Sequence, residues 1–88
     1  MENTFRFELV TPQELVISLD VEGIILPGSE GYLGILPQHT YFTTALREGI
    51  LTVNEVGKTS RYNIGKGYVQ VTPYKTIVLT ESAALTES

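Results

Sequence analysis

The sequence predicts an all-β fold, a sandwich or barrel of short strands, and three observations carry that prediction. Apolar side chains recur with a period of two along most of the chain. Glycine, proline or a charge closes each apolar run after a handful of residues. No internal stretch combines helical spacing with helix-forming composition.

The elements follow in order. In "FRFELV", Phe5, Phe7 and Leu9 share one face while Arg6 and Glu8 take the other. "LVISLD" repeats the pattern with Leu15, Ile17 and Leu19, so all six of these apolar residues are expected on inner faces. "VEGIILP", "YLGIL" and "FTTAL" are three further short runs. "GILTVNEV" and "TSRYNIG" flank Gly57-Lys58 and read as a hairpin, as do "GYVQVT" and "KTIVLT" around Pro73-Tyr74. "HTYFTTALR" is too rich in threonine and aromatics for a helix. Only "ESAALTES" has a helix-tolerant composition, and eight residues are too few for a helix to stand alone. Residues 1–83 are therefore expected to form the domain, and 84–88 a tail or the first turn of a helical region.

Composition bounds the function. Eighty-eight residues make one domain, and a hydrophobic fraction of 42% argues against disorder. With no cysteine, disulfides and thiolate metal sites are excluded. Ten acidic and six basic residues give a net charge of −4, and the basic residues are scattered, so nucleic acid and anionic lipid are not expected partners. The N-terminus lacks signal-peptide design, and no apolar run reaches the roughly 18 residues of a membrane span. The expectation is a soluble, intracellular, acidic domain without direct membrane insertion.

The chemistry-bearing motifs are sparse. Gly28, Gly31 and Gly34 space as GxxGxxG between strands, not as the GxGxxG of a dinucleotide turn. "GKT" at 57–59 resembles the end of a phosphate-binding loop but lacks its first glycine and its strand–helix setting. Ser29, His39 and Asp20 make a hydrolytic triad only on paper, since a triad is defined by geometry. A single histidine among dispersed carboxylates does not supply a metal site. No catalytic, cofactor-binding or metal-binding residue is assigned. Glu30 and Tyr32, on a glycine-flanked tip, suit either a solvated turn or an interface.

The stretch "LPGSEGYLGILPQHT" resembles the signature of the epsilon subunit of the F-type ATP synthase, in its N-terminal β-sandwich domain. The matching residues are Gly28-Ser29-Glu30-Gly31, Leu33-Gly34-Ile35 and Pro37-Gln38-His39. "FELVTPQELVISLDVEGI", "LREGILTV" and "GYVQVTPYKTIVLTESA" extend the likeness from about Phe5 to Ala83. Two departures stand out: Tyr32 where the family often carries an acidic residue, and "PQHTYF", Pro37 to Phe42, in place of Pro-Gly-His-Ala-Pro-Leu. The resemblance implies a flattened antiparallel sandwich of about ten strands in two sheets. It implies a non-catalytic central-stalk role, linking the gamma subunit to the c-ring so that proton-driven rotation is coupled to ATP synthesis. Ser29, Glu30, Gly31 and Tyr32 would face the c-ring, and Thr11, His39 and Thr44 the gamma subunit. The implied location is the cytoplasmic face of a bacterial inner membrane, peripheral and held through the complex. No sequence here matches the family's C-terminal helical hairpin, so the coupling role is expected without the regulatory one. A rival from another class is a free-standing module for peptide or carbohydrate, with Tyr41, Tyr62, Tyr68 and Tyr74 lining a groove.

Overall fold

A computed structural model describes residues 3–37 and 41–87, with only the backbone of Glu87. Ten strands and no helix are found among them. They are β1 (Phe5–Val10), β2 (Leu15–Val21), β3 (Gly23–Gly28), β4 (Gly31–Ile35) and β5 (Phe42–Leu46). The second half supplies β6 (Gly49–Glu55), β7 (Lys58–Ile64), β8 (Gly67–Val71), β9 (Lys75–Thr80) and β10 (Ala83–Glu87). The all-β reading and both hairpins, β6–β7 and β8–β9, stand as expected.

The expected two sheets are joined into one hydrogen-bonded path, β10-β7-β6-β3-β5-β8-β9-β1-β2, with β4 on the other edge of β3. β3 makes the join. Its first half, Gly23 to Ile25, pairs with β6, and its last residue, Gly28, pairs with Leu46 of β5. The path folds back on itself until β2 packs beside β6, nearly closing the sandwich. The antiparallel expectation holds for every described ladder but one: β1 runs parallel to β9, Arg6 to Val10 alongside Lys75 to Leu79. A parallel pair needs a long connection, and here nearly the whole domain separates the two strands.

Between the layers lies one apolar core. Phe7, Leu9, Val21, Leu26, Leu51, Val53, Val69 and Val78 are fully buried, joined by Ile24, Ile35, Leu46, Tyr62, Ile64 and Val71. Alternation explains the set: Leu51 and Val53, Tyr62 and Ile64, and Val69 and Val71 are each spaced by two. Of the six residues expected inside, Phe7 and Leu9 are buried, while Phe5, Ile17 and Leu19 are partly buried and packed against the core. Leu15 is the exception, with 55% of its surface exposed. A bulge is the cause. Leu9 pairs with Ile17 but Val10 with Leu15, so Val16 is an extra residue and Leu15 is turned to the outer face.

The C-terminal segment also departs from expectation. Ala83 to Glu87 is neither tail nor helix but a strand paired with β7, broken by a bulge between Leu85 and Glu87. The Thr86 hydroxyl donates to the Arg61 carbonyl, 3.0 Å away, beside that bulge. The outer edge of β7 would otherwise present unpaired backbone groups, and covering them outweighs the weak helix propensity of "ESAALTES".

Two measurements check this core. Phe7→Ala should lower unfolding stability by about 3–5 kcal/mol in denaturant titration, the cost of a cavity at a fully buried ring. Tyr62 reports through pH, since burial, and secondarily the Glu55 carboxylate, raise its phenol above the ordinary value of 10.0. The folded state therefore holds that proton more tightly than the unfolded chain does. Its contribution is complete below about pH 10 and is lost as pH rises beyond it. Tyr62→Phe should remove that part of the alkaline decline in thermal stability.

Candidate functional site

β3 and β4 form a hairpin whose register runs from Ile24 opposite Ile35 to Gly28 opposite Gly31, leaving Ser29 and Glu30 as a two-residue tip. Glycine is required at both ends of the tip, for different reasons. Gly31 has φ of +134°, a conformation that side-chain-bearing residues rarely adopt. At Gly28 an added Cβ would lie 2.4 Å from Leu33 Cδ2 and 2.8 Å from the Gly31 carbonyl oxygen. Gly34 is different: a Cβ there would meet only the Ile24 carbonyl oxygen at 3.9 Å, so neither space nor backbone demands glycine. The spacing of three thus mixes two structural requirements with one position open to change.

Ser29 and Glu30 are exposed, and Tyr32 is 53% exposed on β4. Tyr32 nevertheless has internal partners. Its hydroxyl accepts the Ile50 N–H at 3.1 Å, and the Arg47 guanidinium lies 5.7 Å from the centre of its ring. Arg47 also donates from Nε to the Gly28 carbonyl at 3.0 Å, and its backbone N–H donates to the Pro27 carbonyl at 2.9 Å. The Ser29 N–H donates to the Ala45 carbonyl at 3.2 Å. Arg47 was not singled out by sequence reasoning, because it belongs to no motif and meets the tip only through the fold.

The residues implied for the second interface do not gather in one place. Thr44 lines the depression at the tip together with Ser29, Glu30, Gly31 and Tyr32. Thr11 lies elsewhere, on a largely apolar depression of about 410 Å³ with Val10, Tyr68 and Leu79. His39 and Gln38 lie outside the described residues.

That second depression belongs to a larger feature. Register places Ala45 beside Tyr68, Tyr68 beside Leu79, Leu79 beside Val10 and Val10 beside Leu15, forming an apolar row across β5, β8, β9, β1 and β2. Tyr68, Leu79 and Leu15 on it are 59%, 46% and 55% exposed. The same face is polar further along: Lys75 meets Glu8 at 3.4 Å, Ser18 donates to Glu8, and Arg6 meets Asp20 at 3.5 Å.

Other sequence features dissolve into structure. Gly57-Lys58-Thr59 lies at the β6–β7 turn, where the Thr59 hydroxyl donates to Asn54. Asp20 is paired with Arg6 on β2, while Ser29 sits at the β3–β4 tip. Among the described residues no three of His, Cys, Asp and Glu cluster as metal ligands. The tyrosine groove of the rival reading is not formed by the four residues together, because Tyr62 is in the core while Tyr68 is on the outer face.

Comparison with known proteins decides the family. Residues 4–86 match the family described as the ATP synthase delta/epsilon chain, β-sandwich domain. This chain belongs to that family. Among curated ATP synthase epsilon chains, that of Pelotomaculum thermopropionicum is 40% identical over 86 residues, covering 98% of this chain and 64% of the relative. That of Brucella canis is 40% identical over 84 residues, covering 94% and 62%. The chain thus spans less than two thirds of the length of these epsilon-chain relatives. A chain in the structure of the Euglena gracilis mitochondrial ATP synthase (OSCP/F1/c-ring) superposes with a TM-score of 0.89 at 26% identity, over 97% of this chain and 55% of that one. A chain in the Tetrahymena thermophila mitochondrial ATP synthase central stalk and c-ring shares the fold, with a TM-score of 0.78 at 15% identity over 91% and 65%.

The delta/epsilon sandwich makes clear predictions at its tip. Gly31→Val should destabilise the domain by about 1–3 kcal/mol through backbone strain. Gly34→Ala should change it by no more than about 0.5 kcal/mol in either direction. Paired thermal melts distinguish the two.

Proposed function

We propose that this domain is a non-catalytic element of the central stalk of a rotary ATP synthase, joining gamma to the c-ring so that proton-driven rotation is coupled to ATP synthesis. The observation that carries the reading is the presence, on one continuous sheet, of two exposed surfaces with different chemistry. One is the hairpin tip with its Glu30 carboxylate. The other is the apolar row from Ala45 to Leu15, which spans four inter-strand steps or about 19 Å. A torque-transmitting link needs two attachment areas on a body that does not yield between them, and a β-sandwich with a single packed core meets that need.

The tip is the c-ring contact in this reading. A carboxylate on an exposed turn suits a cationic group on the ring's polar loops, and a charge-assisted bond there strengthens as water is excluded. Thr44, beside the tip, belongs with this contact rather than with the gamma side. The apolar row is the gamma contact, with Thr11 at its margin. Exposed apolar surface of this continuity is what a protein partner covers. The location follows: peripheral to a bacterial inner membrane, on its cytoplasmic side, held by the complex.

Glu30→Lys should weaken binding to detergent-solubilised c-ring at least about tenfold, since a like-charge juxtaposition costs several kcal/mol. Its melting temperature should match the parent's, because an exposed turn charge adds little to stability. Leu79→Asp should leave ring binding intact and abolish co-purification with gamma. Unchanged gamma binding by Leu79→Asp, or unchanged ring binding by Glu30→Lys, would remove the corresponding surface from the assignment.

A further inference from the structure

We infer that Arg47 and Tyr32 are positioning residues that brace the hairpin tip through bonds within the fold. The inference rests on the reading of the tip as the c-ring contact and names what holds that contact in place.

Continuing the β3–β6 register beyond Ile25 and Thr52 would set Pro27 opposite Ile50. Pro27 has no N–H to donate, and its carbonyl is taken by the Arg47 N–H. Ile50 therefore has no backbone partner on β3. The phenol of Tyr32, which sits opposite Pro27 on β4, reaches across the proline and accepts the Ile50 N–H. The crossing is close. A Cβ at Gly49 would lie 2.7 Å from Pro27 Cβ and 2.8 Å from the Tyr32 hydroxyl oxygen, so Gly49 leaves the room through which the phenol passes.

Arg47 completes the brace from the other side. Its guanidinium is within cation–π range of the Tyr32 ring, and its Nε holds the Gly28 carbonyl at the base of the tip. Ser29 and Glu30 are flanked by Gly28 and Gly31, the residue type that loses most conformational freedom on ordering. The Ser29 N–H bond to the Ala45 carbonyl is one lateral tie, and with that tie alone the tip samples more orientations, which a partner must order on binding. The brace does that ordering beforehand, so its loss should weaken ring binding by about threefold to tenfold without altering the charge at the contact.

The test separates the brace from the partner. In the free protein, Tyr32→Phe keeps the ring and loses only the acceptor. Hydrogen exchange at the Ile50 amide should then accelerate at least about tenfold. Arg47→Lys keeps the charge and loses the Nε bond, and should lower the backbone order parameters of Ser29 and Glu30. With detergent-solubilised c-ring, both variants should bind more weakly with the parent's salt dependence, whereas Glu30→Gln should flatten that dependence. Unchanged exchange at Ile50 together with unchanged order at Ser29 and Glu30 overturns the brace. So does full ring binding by both brace variants when Glu30→Gln binds poorly. If Glu30→Gln binds the ring like the parent, the ring reading fails, and the two measurements on the free protein still decide the brace.

Discussion

Pro27 sets the geometry on which the rest of the structure depends. Along a strand, the N–H and C=O of one residue point to the same edge, and on Pro27 that edge faces β6 and β5. A proline there has no N–H to continue a ladder, so the pairing of β3 with β6 ends at Ile25 and Thr52. One residue past Pro27 the strand takes up β5 instead, Gly28 opposite Leu46. One missing donor thus marks the point where the sheet turns from one layer into the other. The same discontinuity leaves the Ile50 N–H to a side chain, which is why a tyrosine on β4 becomes part of the join.

The core depends on that turn. β6, β7 and β10 lie on one side of β3 in the pairing order, and β5, β8, β9, β1 and β2 on the other. Folding the path at β3 brings Leu51, Val53 and Tyr62 from the first group into one cluster with Val69, Val78, Phe7 and Leu9 from the second. The β1–β9 pair extends the second layer, and the long stretch of chain between the two strands is what permits their parallel pairing. Thr80 ties the end of β9 to the chain between β7 and β8, its buried hydroxyl donating to the Gly65 carbonyl at 2.9 Å.

What the sequence makes legible is what depends on few neighbours. Alternation exposes the strands because each residue's face is fixed by its own position in the run. The Gly28-Ser29-Glu30-Gly31 turn is legible because its backbone needs glycine at Gly31 whatever surrounds it. Features that depend on several strands at once are not. Leu15 faces outward because of one extra residue in the β1–β2 ladder, and β10 is a strand because the edge of β7 is there to pair with it. Tyr32 looks like a bare interface residue in sequence, since nothing local reveals that Ile50, 18 positions away, has no backbone partner on β3. Thr11 and Thr44 look equivalent as threonines near turns, and only the fold sets one on the apolar depression and the other at the tip.

The outer face shows how one sheet surface is divided between adhesion and solvation. Across β9, β1 and β2 the rows alternate in kind: Leu79, Val10 and Leu15 form an apolar line, followed by Ile77, Glu8 and Ser18, and then by Lys75, Arg6 and Asp20. The ion pairs Lys75–Glu8 and Arg6–Asp20 are partly or largely exposed, with long contacts of 3.4 and 3.5 Å, so they add little to folding stability. Their effect is to limit the extent of the apolar surface. Charged side chains on the rows beside Leu79 and Val10 must be desolvated by anything that slides toward them, whereas a partner centred on the apolar row leaves them hydrated. The same arrangement disfavours self-association, because a shifted copy would bring apolar residues against those charges. An apolar line bounded on one side by ion pairs therefore limits how far any protein seated on it could shift toward those charges.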